Sequence, residues 1–227
     1  MAYFSEGTLG FLEDLARNNN RDWFQAHKQD YEERVRSPAL DFIADMADGL
    51  SLISPQFLAI PKKVGGSLMR VYRDTRFTRD KTPYKTNIGI QFRHHMGKDV
   101  HAPGYYVHIE PGACFIGVGI WRPDREALDR IRQAIVENER AWLAARDDGA
   151  FRDAFTLSGE ALKRPPRGYP GDHPLVEDLK RKDFIAIAPV EDEAVLAAGF
   201  RAEVLGRFAD ATPFMRFLCR GLGLNFD

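Results

Sequence analysis

The sequence predicts an α+β fold: a single domain in which an antiparallel sheet of about four to five strands is covered on one face by N-terminal and C-terminal helices. Three observations carry this expectation. Apolar residues recur every three to four positions through residues 1–61 and again after residue 123. Between Gly65 and Trp121 the period changes to two, in four segments too closely spaced for crossover helices. Turn-rich pieces such as MGKDVHAPG and PGA separate those segments, as in a meander of hairpins. With 227 residues, 44% of them hydrophobic, the chain can bury a sizeable core.

Taken in order, Thr8 is placed to cap a first helix carrying Leu9, Leu12, Leu15 and Ala16. The run Asn18-Asn19-Asn20 ends it. Asn20 then stands as N-cap of a second helix, on which Trp23, His27, Tyr31 and Val35 repeat every four residues. Ser37-Pro38 is a cap and first-turn signal for a third helix, with Leu40, Ile43, Ala47 and Leu50 in one stripe. A loop through Pro55 and Pro61 leads into the sheet region, residues 62–122, whose alternating segments are SLMRVYR, IGIQFRH, YYVHIE and CFIGVGIW. In the last region, residues 123–227, Arg122-Pro123-Asp124 opens a long helix with Leu128, Ile131, Ile135 and Trp142 facing inward. LSGEALKRPPRGYPGDHP reads as an irregular surface loop, and Phe184, Ile185, Ile187 and Ala188 as one further strand. Two helices close the chain, the last opened by Thr212-Pro213.

Several classes of function are set aside at this point. No run of about 18 apolar residues exists, and the N-terminus MAYFSEGTLG lacks the basic and apolar regions of a secretory signal. Cys114 and Cys219 have no CxxC spacing, and the residues around them mark both as small buried hydrophobes. His94, His95, His101 and His108 crowd into fifteen residues, but His94 and His95 alternate to opposite faces of a strand. Glu110 and Asp99 supply too few acids for a hard-metal site. The expectation is a soluble cytoplasmic protein with no metal and no cofactor.

Alternation divides the sheet into two faces. One collects Met69, Val71, Ile88, Ile90, Phe92, Tyr105, Val107, Ile109, Ile116, Val118 and Ile120, and should lie under helices. The other collects Arg70, Tyr72, Gln91, Arg93, Tyr106, His108, Glu110, Phe115, Gly117, Gly119 and Trp121. Glycines at 117 and 119 weaken a strand and leave a hollow that a ligand, or another backbone, can enter. A closely packed helix or a simply wet face would accommodate them as well.

The charge is uneven along the chain. Residues 62–101 carry ten basic and three acidic side chains, a net of +7, inside a chain whose total is −1. Within RVYRDTRFTRDKTPYKTNIGI, Arg70, Arg73, Arg76, Arg79, Lys81 and Lys85 are interleaved with Tyr72, Phe77 and Tyr84. Arginine forks and lysine point charges suit carboxylate or phosphate, and Pro83 stiffens the loop. No phosphate-loop or dinucleotide glycine pattern accompanies them. Asp74, Asp80 and the acidic N-terminal helices offer the basic residues partners within the fold, which is the competing structural explanation.

The stretch RVYRDTRFTRDKTPYKTNIGI, followed by GYYVHIEPG and GVGIWRP, resembles a bacterial and fungal family catalogued as domain of unknown function 2461. The resemblance covers most of the chain. It implies a single soluble α+β domain and brings no activity, substrate, cofactor or catalytic residue with it.

The function expected from the residues is binding of an anionic small molecule, phosphorylated or carboxylated. The expected ligand-binding residues are Arg70, Tyr72, Arg73, Arg76, Lys81, Tyr84, Lys85, Arg93, Gly117 and Gly119. His108 and Glu110, two apart on one strand, are the candidate catalytic pair for hydrolysis or transfer at a phosphoryl centre. Hydrogen bonding or ion pairing of His108 and Glu110 with Arg70 and Arg93 across the sheet is the alternative. Two rival classes remain: a nucleic-acid-binding protein using the same basic segment, against which the pI near 6.6 weighs, and a protein-interaction module presenting Tyr106, Phe115 and Trp121.

Overall fold

The structure, a computed structural model, describes residues 2–97 and 102–227. Helix α1 (Glu6–Arg17) has Ser5 rather than Thr8 as its N-cap. Thr8 stands one turn in, accepts the backbone N–H of Ser5 at 3.1 Å, and donates its hydroxyl to the carbonyl of Arg34 at 2.7 Å. Asn20 caps α2 (Arg21–Ala26) as expected, accepting the N–H of Trp23 at 3.0 Å. The predicted second helix is broken up. α3 (Lys28–Tyr31) runs into a π turn, Glu32–Arg36, and straight on into α4 (Ser37–Ile53).

Ser37-Pro38 therefore opens no separate helix. Proline clashes with the carbonyl four residues before it and cannot donate to it. The π turn relieves this by widening the helix one step early, the N–H of Ser37 bonding to the carbonyl of Glu32. The Arg34 carbonyl that Pro38 leaves unused is the one Thr8 satisfies.

The sheet has six antiparallel strands in the order β1-β2-β3-β4-β6-β5. They are β1 (Phe57–Leu58), β2 (Ile88–His94), β3 (Gly104–Ile109), β4 (Phe115–Ile120), β5 (Thr156–Ser158) and β6 (Phe184–Pro189). The two edge strands, of two and three residues, are too short to show a period and fall in stretches expected to be loop. In register, Tyr106 stands between Gln91 and Gly117, and His108 between Gly89 and Phe115.

The segment SLMRVYR is not a strand. Residues 67–69 bond to β2 (Met69 N–H to Gly89, Gln91 N–H to Ser67), but residues 71–73 turn to the far end of their own loop (Lys85 N–H to Val71, Arg73 N–H to Pro83). The kink breaks the alternation. Leu68 and Val71 are buried, while Met69, assigned to the core face, turns to the opposite one.

The C-terminal region holds α5 (Arg125–Glu137), α6 (Glu139–Arg146), α7 (Gly149–Ala154), α8 (Val176–Leu179), α9 (Asp192–Leu196), α10 (Phe200–Asp210) and α11 (Thr212–Gly221). The single long helix expected through Trp142 is divided at Asn138, whose side-chain amide donates to the carbonyl of Ala134 at 3.2 Å and competes with helical continuation. The other ten residues assigned to the core face of the sheet are all buried. Phe208 of α10 packs on Phe92 and Tyr105 with ring centroids 5.8 and 4.4 Å away. Among the described residues no helix is long and apolar enough to cross a membrane.

Candidate functional site

The opposite face of the sheet carries two adjoining hollows that share Met69 and Gln91 as lining residues. The first is a cleft of about 700 Å³ at the β1–β2 edge. The π turn and the end of α3 bring Arg36 and Tyr31 to it, the segment before β2 brings Lys63, Arg70, Tyr72 and Lys85, and β2 itself brings Arg93. Five cations thus line one cleft, and no described lining residue is a carboxylate.

Two of the five share one counter-ion from outside the cleft. Arg36 pairs with Glu32 and lies over the Tyr31 ring, 4.9 Å from its centroid, while Lys63 is 3.6 Å from the same Glu32. Arg93 donates to Gln91 at 3.0 Å. Among the described residues neither Arg70 nor Lys85 is in ion-pair contact with a carboxylate, although the charge of Arg70 reaches Asp74 and helps to lower its pKa. Burial, then the nearby charge of Arg70, holds the Lys85 ammonium below its ordinary pKa of 10.5.

The second hollow, about 390 Å³, lies over β3, β4 and β6. Tyr106, Phe115 and Trp121 form its aromatic walls, Ile185 and Ile187 its aliphatic side, and Gly117 its floor. At its rim a hydrogen-bonded chain runs through four side chains. Thr86 donates to Glu110 Oε1 at 2.8 Å, Glu110 Oε2 is 3.2 Å from His108 Nε2, and His108 Nδ1 is 3.0 Å from the hydroxyl of Tyr106. The amide of Asn87 also approaches Nδ1, at 3.3 Å. Two donors facing Nδ1 make it the acceptor, so in the neutral ring the proton sits on Nε2 and points to Glu110. The ring is stacked on Phe115 at 4.5 Å and 13°. Burial pushes the Tyr106 hydroxyl up to about 12, so it remains a donor at neutral pH.

The expected site residues thus separate into three groups. Arg70, Tyr72, Lys85 and Arg93 line the cleft, while His108, Gly117 and Gly119 line the apolar hollow, with Glu110 behind His108. His108 and Glu110 bond to each other and to Tyr106 and Thr86 instead of pairing with Arg70 and Arg93.

The third group is a correction. Arg73, Arg76 and Lys81 line neither hollow. Arg73 is held by Asp80 and Thr82, Arg76 by Asp74 at 2.7 and 3.0 Å, and Lys81 by the carbonyl of Thr75 at 2.7 Å. The loop's two acids thus neutralise Arg73 and Arg76. Asp74 is held down at about 2, mainly by the guanidinium of Arg76, and Asp80 at about 2 by the backbone N–H of Thr82 and then Arg73. Tyr84 is only 2% exposed and stacks on Phe24 at 4.1 Å, so it belongs to the core.

Gly119 also has another reason than ligand space. Its φ is +112°, and an added Cβ would fall 2.0 Å from the carbonyl oxygen of Phe184. Here it is another backbone that enters. At Gly117 an added Cβ would meet only side-chain atoms, at 3.6 Å and beyond, so that glycine does open space.

Sequence reasoning missed Arg36 and Lys63 in the cleft. Lys63 contributed to the +7 segment without being singled out, and the π turn that delivers Arg36 has no signature beyond Pro38 itself. It also missed Thr86 and Asn87, which flank the start of β2.

His94 and His95 do not assemble with His108. His94 is buried against the carbonyl of Asn225 at 2.8 Å. Its ring stacks on His95 at 4.9 Å, and the two do not point apart because β2 ends at His94. His101 and Asp99 lie outside the described residues. Both cysteines are buried and free, and burial pushes both thiols up to about 12.

No curated protein and no solved structure matches the chain. A family model described as "Conserved hypothetical protein (DUF2461)" matches residues 7–217, a span that takes in the whole sheet and both hollows. The chain belongs to that family, as the motifs at its centre suggest.

Proposed function

We propose that the protein binds an anionic small molecule in the cleft of Arg36, Lys63, Arg70, Lys85 and Arg93. One observation carries this reading: Arg70 and Lys85 face the same cleft, and among the described residues neither is in ion-pair contact with a carboxylate. Two like charges held side by side, one of them half-buried, destabilise the free protein and are relieved when an anion bonds to both. The reading is narrower than the basic loop as a whole, because the arginines at 73 and 76 already have their counter-ions. A cytoplasmic setting agrees with the two free, buried cysteines.

Hydrolysis or transfer is the less supported extension. Both ring nitrogens of His108 are engaged by neighbouring side chains. For His108 to act on a substrate, its proton transfers must pass through the Tyr106 hydroxyl or displace it. Binding needs no such rearrangement.

The test is thermal unfolding with inorganic phosphate, pyrophosphate and citrate at low and physiological salt. A ligand at a hundred times its Kd stabilises by about 2.7 kcal/mol. In a domain of this size that raises Tm by roughly 5 to 10 °C. The expected result is a shift that survives physiological salt and is lost in the double variant Arg70→Ala, Lys85→Ala. No shift with any of the three anions, or an undiminished shift in the double variant, sinks the reading.

A further inference from the structure

The cleft does not end in solvent on the side facing the sheet. Met69 and Gln91 line both hollows, so the basic cleft and the apolar cavity meet across these two side chains. Neither forms a rigid barrier. Met69 is an unbranched thioether, turned onto this face by the kink after residue 69, and Gln91 is a half-buried amide whose oxygen is turned to Arg93.

The chemistry changes sharply from one side to the other. The cleft contributes five cationic side chains, whereas no described residue lining the cavity is a lysine, arginine, aspartate or glutamate. The cavity is large enough for a ligand, at about 390 Å³ against the roughly 300 to 1,000 Å³ of small-molecule sites. Its walls are flat. Tyr106, Phe115 and Trp121 surround a floor with no side chain, and Trp121 is 53% exposed although its ring is fully apolar apart from one N–H.

We propose that the ligand is an amphiphile: a phosphate or carboxylate head held by Arg70 and Lys85, joined to an aromatic or short alkyl body that passes Met69 and lies on Gly117. The inference rests on the anion-binding reading and adds the other half of the molecule. Charge complementarity fixes the head in the cleft, and the absence of charge in the cavity selects an uncharged body. Tyr106, its hydroxyl bonded to His108, stands among the residues that line the cavity next to Met69.

The experiment is calorimetric titration of the full chain with inorganic phosphate, methyl phosphate, hexyl phosphate, hexanoate and hexanol. Each buried methylene contributes about fourfold in affinity. Hexyl phosphate should therefore bind at least roughly thirtyfold more tightly than methyl phosphate, and hexanol should bind far more weakly than either anion-bearing hexyl compound. Hexanoate against hexyl phosphate decides which head the cleft prefers.

Gly117→Leu, whose added atoms enter the cavity, should abolish the advantage of hexyl over methyl phosphate while leaving methyl phosphate binding intact. Trp121→Ala, at a half-exposed ring over which Arg122 lies at 4.6 Å, is the second variant and should reduce the same advantage. Methyl and hexyl phosphate binding equally, or an advantage that survives both variants, overturns the amphiphile and leaves the anion site standing. Hexanol binding as tightly as hexyl phosphate overturns it as well, because the two hollows then act independently. No binding by any phosphate or carboxylate removes both readings. A dimer in solution that Trp121→Ala dissociates gives this face to a second copy and also overturns the proposal.

Discussion

At Gly119 the β4 backbone adopts φ +112° with the Phe184 carbonyl where a Cβ would be, whereas two residues earlier Gly117 has ordinary van der Waals space above it. The two glycines should respond differently to the same change. Gly119→Ala should cost about 2 kcal/mol or more in urea unfolding, from the strained φ and the collision with β6. Gly117→Ala should stay within about 1 kcal/mol of the parent. Equal costs would mean that the backbone of β4 is not held where β6 needs it. Lys85 is the other residue with a distinct signature. Its ammonium is held below the ordinary lysine pKa in the free protein, and a bound anion favours its charged form. Binding is therefore intact while Lys85 is protonated and is lost as pH rises through its depressed pKa, earlier than for an ordinary lysine. Phosphate titrations from pH 7 to pH 10 should show that loss, and in Lys85→Met it should be absent, with affinity already about ten to a hundredfold lower at pH 7.

Between elements, Asp183 has a role that no periodicity announces. It is buried, and its two carboxylate oxygens accept the backbone N–H of Arg122 at 2.7 Å and of Glu160 at 3.0 Å. It fastens the second residue beyond β4, where Arg122 has φ +48°, and the second residue beyond β5 to the entry of β6. Asp183→Ala strands two backbone donors and should cost about 2 kcal/mol or more. A smaller loss in chemical denaturation would show that water reaches both groups. The elements also show what was legible in the chain. β2, β3, β4 and β6 have four or more residues with one buried face, so alternation exposed them. β1 and β5 are set by their neighbours' edges and carry no period. SLMRVYR did alternate, yet its second half pairs with residues 83–85 of its own loop, a choice made by hydrogen bonds that hydropathy does not record. Toward the site, alternation placed Gln91, Arg93, Tyr106, His108 and Gly117 on one face of the sheet because those residues lie on regular strands. Sequence reasoning counted the loop's cations toward the site and held pairing with Asp74 and Asp80 as the competing explanation, and for Arg76 and Arg73, two and seven residues away, the structure shows that pairing.

For the molecule as a whole, the near-zero net charge and the local excess of +7 make opposite demands on a polyanion and a small anion. A nucleic acid needs a long positive track, and beyond the cleft the chain's remaining regions are acidic on balance. Short oligonucleotides should bind at low salt at most, with a steep salt slope, and bind negligibly near 150 mM salt. Retained binding there, measured by fluorescence anisotropy, would favour the nucleic-acid class over the small ligand. The acid response of the exposed basic loop belongs to this scale too. Asp74 and Asp80 titrate near 2 instead of 3.8. Their contribution is present above 3.8 and is lost as pH falls through about 2, so the Thr82 amide should keep its hydrogen-bonded chemical shift down to roughly pH 3.

The π turn before Pro38 has a consequence for how this chain can vary in length. A π turn is an α-helix with one residue too many, and each helical residue turns the chain by about 100°. Removing a single residue between Glu32 and Val35 would restore plain α-helical winding and let α3 run into α4 without unfolding either. Everything on the N-terminal side would then rotate by that step relative to α4, and Tyr31 would swing off the cleft that it and Arg36 now line together. A one-residue deletion here is thus a change of wiring more than of stability: the helix would survive it, and the cleft would lose its alignment.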